Sequence, residues 1–529
     1  MRLSMETLQK EKEFYQKAGI RLPAYPVAEA RKLTIERPVW LHFGAGNIFR
    51  AYMAKLQQRL LDQGEARTGI VAVENFDEEL VDRLYLPYDC LSVLVTLHRD
   101  GSLEKEVIAS VAGALKPSAD RETLCRMMRD PGLQMVSLTI TEKGYALKDL
   151  QGRYFPEVSA DLSAGPSGAR TMMGRLTALL WHRYQNGASP LAVVSMDNCS
   201  RNGEKLSRAV WTIAKEWYER GLVSQDYITY LQDPSQVSFP WTMIDKITPR
   251  PAPAVEKALA DLGLEGMEPL LTEKKTYAAA FVNAEAPEYL VIEDSFPNGR
   301  PALEKAGVYF VDRDTVNAAE RMKVTACLNP LHTALAVYGC LLGYSTIAEE
   351  MKDRELAALA RGIGEKEGLK VVKHPGVLDP EAFLKEVLTE RLPNPYMPDT
   401  PQRIATDTSQ KIPVRYGETM KAYFPDLSGL RYIPLAIAGW FRYLLGKDDR
   451  LRDMEISPDP MLATLTEALA GVEAGHPESY QGQLKPILKN ESLFGIDLAD
   501  TCLGERVEDY FLRMLAGEGA VRRLLQEEV

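Results

Sequence analysis

The apolar positions of this chain change their period partway along it. In the first half, short and nearly unbroken apolar runs recur at 38–43 (PVWLHF), 69–74 (GIVAVE), 91–97 (LSVLVTL), 134–140 (QMVSLTI) and 191–196 (LAVVSM). Runs of this length, rich in Val, Ile and Leu, predict strands buried on both faces. Helical spacing fills the gaps: AYMAKLQQRLLDQG ends at Gly64, 168–185 is stopped by Asn186-Gly187, and 203–221 follows. Strands alternating with helices predict a parallel α/β sheet. After GVYFVDRD, near residue 300, the pattern turns almost wholly helical, from 315–328 and 330–343 through to 506–526. Pro/Gly-rich connections such as LPNPYMPDTPQ, 392–402, punctuate these helices.

The first strand runs into Gly44-Ala-Gly46-Asn47-Ile-Phe-Arg50 and then a helix. A glycine loop between strand and helix lets a backbone approach a pyrophosphate and offers it N–H donors. The usual third glycine is missing, and the loop closes on Arg50 instead. The second strand ends at Glu74, with Asp77 just beyond. An acid there would bond ribose hydroxyls and repel a 2′-phosphate, which favours NAD over NADP. The expected architecture is therefore α/β: a Rossmann-type dinucleotide-binding domain over 1–300, then a mainly α-helical substrate domain over 301–529. A site in such a chain is expected where the two domains meet.

Composition narrows the function. A chain of 529 residues exceeds one ordinary core. A net charge of −11 without a long Lys/Arg block argues against nucleic acid and for a small metabolite. The charged start, MRLSMETLQKEKEFYQKAG, lacks an apolar signal core, and no run of eighteen apolar residues is found, so no membrane association and a cytoplasmic location are expected. Six scattered cysteines contain no pair at zinc spacing, so no metal site is expected.

The stretch RMKVTACLNPLHTALAVYG, 321–339, places Lys323, Asn329 and His332 six and nine residues apart among apolar neighbours. Asn329-Pro330 reads as an N-cap followed by a first helical residue, so two helical segments with a break at Asn329 are expected. Such a break would let Lys323 swing toward Asn329 and His332, and apolar surroundings would depress the lysine pKa. A surface lysine, a structural cap and a satisfied histidine would read the same way on spacing alone.

KVTACLNPLHTALA resembles the Lys…Asn-x-x-His signature of the polyol-specific long-chain dehydrogenases, the mannitol dehydrogenase family. HFGAGNIFRAY, LTITEKGY, SMDNCSRNG, FPWTMIDKITP, VIEDSFPNGRP and DTSQKIPVR resemble further family segments, in family order from about residue 38 to 420. The resemblance implies a zinc-independent oxidoreductase using NAD. Lys323 would be the general acid/base, Asn198 and Asn329 would hold the reacting oxygen, His332 would orient the substrate, and Asp245 would lie near the lysine. Many members place the asparagine five residues after the lysine and the histidine eight, so this chain carries one extra residue. The family divides between neutral ketoses and keto-hexuronates. A substrate carboxylate needs cations, for which Lys246, Arg300, Lys411 and Arg415 are candidates, though each is equally compatible with a structural ion pair. The expected reaction is D-fructuronate with NADH to D-mannonate. Tagaturonate reduction, a neutral polyol and a non-catalytic NAD-binding sensor are the alternatives. The oligomeric state is left open.

Overall fold

The computed structural model describes residues 1–149 and 151–529. Its central sheet is built from β1 (Trp40–Phe43), β2 (Ile70–Val73), β3 (Val111–Leu115), β4 (Met135–Leu138), β5 (Leu191–Ser195) and β6 (Val237–Ser238). The spatial order is β3-β2-β1-β4-β5-β6 and every pairing is parallel. This is the doubly wound dinucleotide-binding order, with its switch point beside β1. Alternate residues leave the sheet on opposite faces. Ile70, Ala72, Ala192 and Val194 join one core, and Val71, Val73, Leu191 and Val193 the other. Both faces are dry, which is why these strands read as unbroken apolar runs.

Helix α1 (Ala54–Asp62) follows the glycine loop. Helices α2 (Arg121–Met128), α3 (Met172–Gln185) and α4 (Asn202–Glu219) contribute to the core on the Val71/Val73 face. The expected strand at 91–97 forms, as Ser92–Leu97, but outside the central sheet. It pairs antiparallel with Leu103–Ile108 and parallel with Phe281–Glu285. The third strand of the central sheet is β3, whose Ala-Gly-Ala interior, VAGAL, carries too weak an apolar signal to read from the sequence.

The chain divides into units Met1–Asn317 and Ala318–Val529. The division falls later than the expected boundary near 300 because Tyr309–Val311 pairs in parallel with Tyr289–Glu293 and keeps that segment in the first unit. In the second unit, α5 (Asn329–Leu342) is buried on nearly every side and packs against α6 (Arg354–Arg361), α7 (Pro401–Ala405) and α8 (Tyr432–Tyr443). The helical run Arg313–Leu342 has the length and apolarity of a membrane span, yet 72% of its most apolar window is buried in the protein.

Glu367 fixes the start of α8. Its fully buried carboxylate accepts the backbone N–H groups of Arg431 (2.5 Å), Tyr432 (2.7 Å) and Ile433 (2.8 Å). These are the donors a helix N-terminus leaves without partners. Glu367→Ala strands them in a dry interior, and the expected loss is about 2–4 kcal/mol of unfolding free energy, read by denaturant titration.

Candidate functional site

In the first unit the loop after β1 holds two glycines with different duties. Gly44 has φ +101°, and a Cβ there would stand 2.1 Å from the Thr139 carbonyl oxygen. No other residue fits that approach. A Cβ on Gly46 would meet no atom within 4 Å. That open space lies at the start of the helix that begins at Asn47, where a pyrophosphate would receive backbone N–H groups. The residues present therefore fit a dinucleotide.

The side chains expected to touch that dinucleotide are differently disposed. Arg50 is buried in a π-turn, Phe49–Met53, and donates to Ala279 O (2.7 Å) and Asn47 Oδ1 (2.9 Å). It braces the loop from below, and the Asn47 side-chain oxygen is engaged in that brace. Phe49 stacks on His42 with ring centroids 4.3 Å apart. Glu74 also turns inward. One oxygen accepts Ala45 N–H (2.7 Å), and the other accepts Phe76 N–H (2.8 Å) and Asp77 N–H (2.9 Å). Burial raises its carboxyl pKa against these donors. Asp77 is buried and accepts the Thr272 hydroxyl at 2.6 Å. Both carboxylates thus accept the protein's own donors, and the expected contact of Glu74 and Asp77 with ribose hydroxyls would have to use the acceptor positions that remain.

Asn198 is exposed on the loop after β5. Its neighbour Asp197, which sequence reasoning missed, fixes that loop. Asp197 accepts Ile140 N–H (3.0 Å), Thr141 N–H (2.8 Å) and the Tyr145 hydroxyl (2.5 Å). It joins LTITEKGY to SMDNCS, two segments the motif comparison had singled out separately. Asp245 ends the strand Thr242–Asp245 and is 4% exposed. Lys246 and Arg300 do not suit the expected role of holding a substrate carboxylate. Lys246 pairs with Glu288 at 3.0 Å and donates to Glu285 O at 2.6 Å, and Glu288 also holds Lys55 and Arg59. Arg300 pairs with Asp294 (3.0 Å) and Glu304 (2.6 Å) and lies over the Phe310 ring. Both cations are already paired with carboxylates, Lys246 with one it shares with Lys55 and Arg59.

In the second unit the extra residue between Lys323 and Asn329 has a structural form. Met322–Cys327 is a π-turn, and Leu328 N–H donates to Lys323 O, five residues back, at 3.1 Å. A π-turn accommodates one residue more than an α-turn and keeps the flanking segments helical. The break falls at Leu328 (φ −129°, ψ −62°) rather than at Asn329, which is the first helical residue of α5 with Pro330 second. Lys323 is 2% exposed, so its ammonium lies in the interior as the apolar flanks suggested.

Cations gather around this turn. Arg415 Nη1 donates to Asn329 O (3.3 Å) and the Thr333 hydroxyl (2.5 Å). Lys411 Nζ donates to the carbonyls of Ile404 (2.8 Å) and Thr406 (2.5 Å). Neither has a carboxylate partner among the described residues. Burial lowers Arg415 to about 10, and burial followed by the nearby Arg415 lowers Lys411 to about 8. His332 is driven down to about 3 by burial and then by Arg415, Arg403, Arg391 and Lys411, so it is a neutral imidazole. Its Nε2 is buried without a hydrogen bond and stands 3.5 Å from Asp399, which Arg403 also engages. Arg403 and Asp399 are the members of this cluster that sequence reasoning missed, although both lie at the edge of the Pro-rich connector. Among the described residues no three His, Cys, Asp or Glu side chains gather as metal ligands.

Residues 39–305 match the model of the mannitol dehydrogenase Rossmann domain, and 315–514 that of the mannitol dehydrogenase C-terminal domain. The chain is 53% identical to the D-mannonate oxidoreductase of Thermotoga maritima, over 100% of this chain and 99% of that one. It is 30% identical to the Escherichia coli D-mannonate oxidoreductase over 88% and 92% of the two. Its fold superposes on Pseudomonas fluorescens mannitol 2-dehydrogenase, solved as a ternary complex with NAD and D-mannitol, with TM-score 0.72 at 27% identity, covering 100% and 99% of the chains.

Gly46→Ala should fold normally, because its Cβ meets nothing, but should weaken NADH binding by roughly tenfold through intrusion on the pyrophosphate space. Fluorescence titration with NADH, alongside circular dichroism, checks both halves of that expectation.

Proposed function

This chain belongs to the mannitol dehydrogenase family, and from that premise we propose that it interconverts D-fructuronate and D-mannonate with NAD(H). The observation that carries the choice of a sugar acid is the pair Lys411 and Arg415, charged, partly or wholly withdrawn from water and unneutralised beside the Asn329–His332 segment. Buried cations without counter-ions are costly, and a carboxylate ligand would offset that cost. Full-length relatives that are D-mannonate oxidoreductases support the same reading.

The nicotinamide, when bound, supplies or accepts the hydride. The protein's part is geometry, field and a proton. Lys323 Nζ, held in the interior, is assigned as the group that delivers a proton to the carbonyl oxygen during reduction and removes it during oxidation. The Asn329 side-chain amide is assigned to the same oxygen, where a donor aimed at developing negative charge is worth about 2.7–4 kcal/mol. Neutral His332, with Nε2 unsatisfied, is assigned to a substrate hydroxyl. Lys411 and Arg415 hold the carboxylate, with Arg403 as a further cation in reach of His332. By its motif Asn198 is assigned as a second amide donor, which Asn198→Ala tests, and Asp245 remains a candidate by its motif alone.

NADH oxidation measured in parallel with D-fructuronate, D-tagaturonate and D-fructose should favour D-fructuronate strongly. Preference for D-fructose would move the assignment to neutral polyols. Lys323→Ala should lower kcat by on the order of 10²–10⁴-fold while NADH still binds, and near-normal turnover would remove the lysine from the chemistry. Lys411→Ala should raise KM for the sugar acid by roughly tenfold or more. Because free Lys411 deprotonates near 8, the wild-type KM should also climb as pH rises through that value, and the variant should lose that climb.

A further inference from the structure

The inward turn of Glu74 leaves the end of β2 without an outward carboxylate. The next residue, Asn75, is neutral and partly exposed, and its side-chain oxygen accepts Arg175 Nη1 at 2.8 Å. Arg175 stands in the first turn of α3. It lines one end of a cavity of about 610 Å³ between α2 and α3, together with Ser118, Arg121 and Arg170. Arg121 is the first residue of α2, and Ser118 lies on the segment that leaves β3. These residues therefore collect at the carboxyl edge of the sheet, at β2 and β3, where the adenosine ribose of a dinucleotide lies in this topology.

The charge there is out of balance. Arg121 and Arg170 have no carboxylate partner among the described residues, and both press on Arg175 with like charge. Arg121 donates only to a backbone carbonyl, that of Ser167, at 2.9 Å. Two acids act on Arg175: Glu78, 3.9 Å away and engaged by the amide and hydroxyl of Ser118, and Asp161, which accepts the amides of Arg170 and Thr171. Three guanidiniums against two carboxylates already held by the protein's own donors leave an excess of positive charge, and planar Arg forks match a phosphate monoester. Phe76, 66% exposed beside Asn75, carries the Lys274 ammonium over its ring at 5.0 Å.

We propose that the Arg121–Arg170–Arg175 cluster receives the 2′-phosphate of NADP(H), so that the chain accepts NADP(H) as well as NAD(H). Glu74 and Asp77 are buried on the protein's own donors, Glu78 is held by the amide and hydroxyl of Ser118, and Asn75 is neutral toward a ribose hydroxyl or its phosphate. The proposal concerns the nucleotide site alone and stands whichever sugar the protein reduces.

Calorimetric titration of the full chain with adenosine 2′,5′-bisphosphate, adenosine 5′-monophosphate and inorganic phosphate tests it without turnover. The bisphosphate should bind on the order of tenfold or more tighter than the monophosphate. Arg121→Ala/Arg170→Ala, at two exposed positions, should bring the bisphosphate close to the monophosphate, with folding checked by circular dichroism. NADPH should then quench protein fluorescence saturably in the wild type and less tightly in the variant. Equal affinity for the two adenosine phosphates, or an unchanged bisphosphate affinity in the variant, would overturn the proposal. Inorganic phosphate binding as tightly as the bisphosphate would also overturn it, in favour of a free-anion site. Silence with every keto-sugar would sink the hexuronate reading and leave these binding results standing.

Discussion

The second unit's chemistry depends on whether a π-turn can be held in place. An α-turn satisfies its backbone more completely, so a six-residue π segment persists only where neighbours supply what it lacks. Pro330, two residues past the turn, aggravates the deficit because it has no N–H to return to the carbonyls behind it. Residues 415–419 supply one donor to the π segment itself and two more to the first turn of α5 that follows it. Thr419 Oγ1 reaches Thr325 O at 3.2 Å, Tyr416 Oη reaches Pro330 O at 3.0 Å, and Arg415 reaches Asn329 O at 3.3 Å. The residues that hold the lysine's turn are thus interleaved with the residues proposed to hold the substrate. The turn, the cap of α5 and the cationic cluster form one cooperative structure, and loosening any one of them disturbs the others.

Charge bookkeeping separates structure from function more cleanly than position does. Lys246 and Arg300 sit in family segments and look like ligand-binding cations in the sequence, yet Arg300 faces two carboxylates and Lys246 shares Glu288 with Lys55 and Arg59. Lys411 and Arg415 face carbonyls and hydroxyls, which stabilise a cation without cancelling it. The same contrast marks Arg121 and Arg170 in the first unit. Where folding alone decides, a half-buried guanidinium gains most from an acid beside it. Two clusters in which cations outnumber acids, in a chain whose net charge is −11, are placed against the overall electrostatic trend.

The sheet was legible because the strands of a doubly wound fold are dry on both sides, so β1, β2, β4 and β5 announce themselves as apolar runs. β3 did not, since its Ala-Gly-Ala interior suits close packing and carries little apolar signal. Lys323, Asn329 and His332 were legible as a set through their spacing, and the extra residue between the first two was visible as a departure. Its form as a π-turn was not, because the donors that sustain it come from more than eighty residues downstream. Side-chain direction was the least legible property. Glu74 stands where a ribose-binding acid belongs, and nothing local shows that three backbone amides claim it.

That last point bears on how the glycine loop is built. A third glycine would let the helix pack tightly on the sheet. Here Phe49 occupies that place, stacked on His42, and the helix opens into a π-turn that buries the following Arg50. The guanidinium then needs acceptors, found in Asn47 and in the distant carbonyl of Ala279. With the helix start held by Arg50, the loop itself is held by Glu74 through Ala45 N–H. The Glu74 carboxylate is in this way part of the loop's architecture. In this fold the substitution of one loop residue is tied to which side chains remain to meet the cofactor.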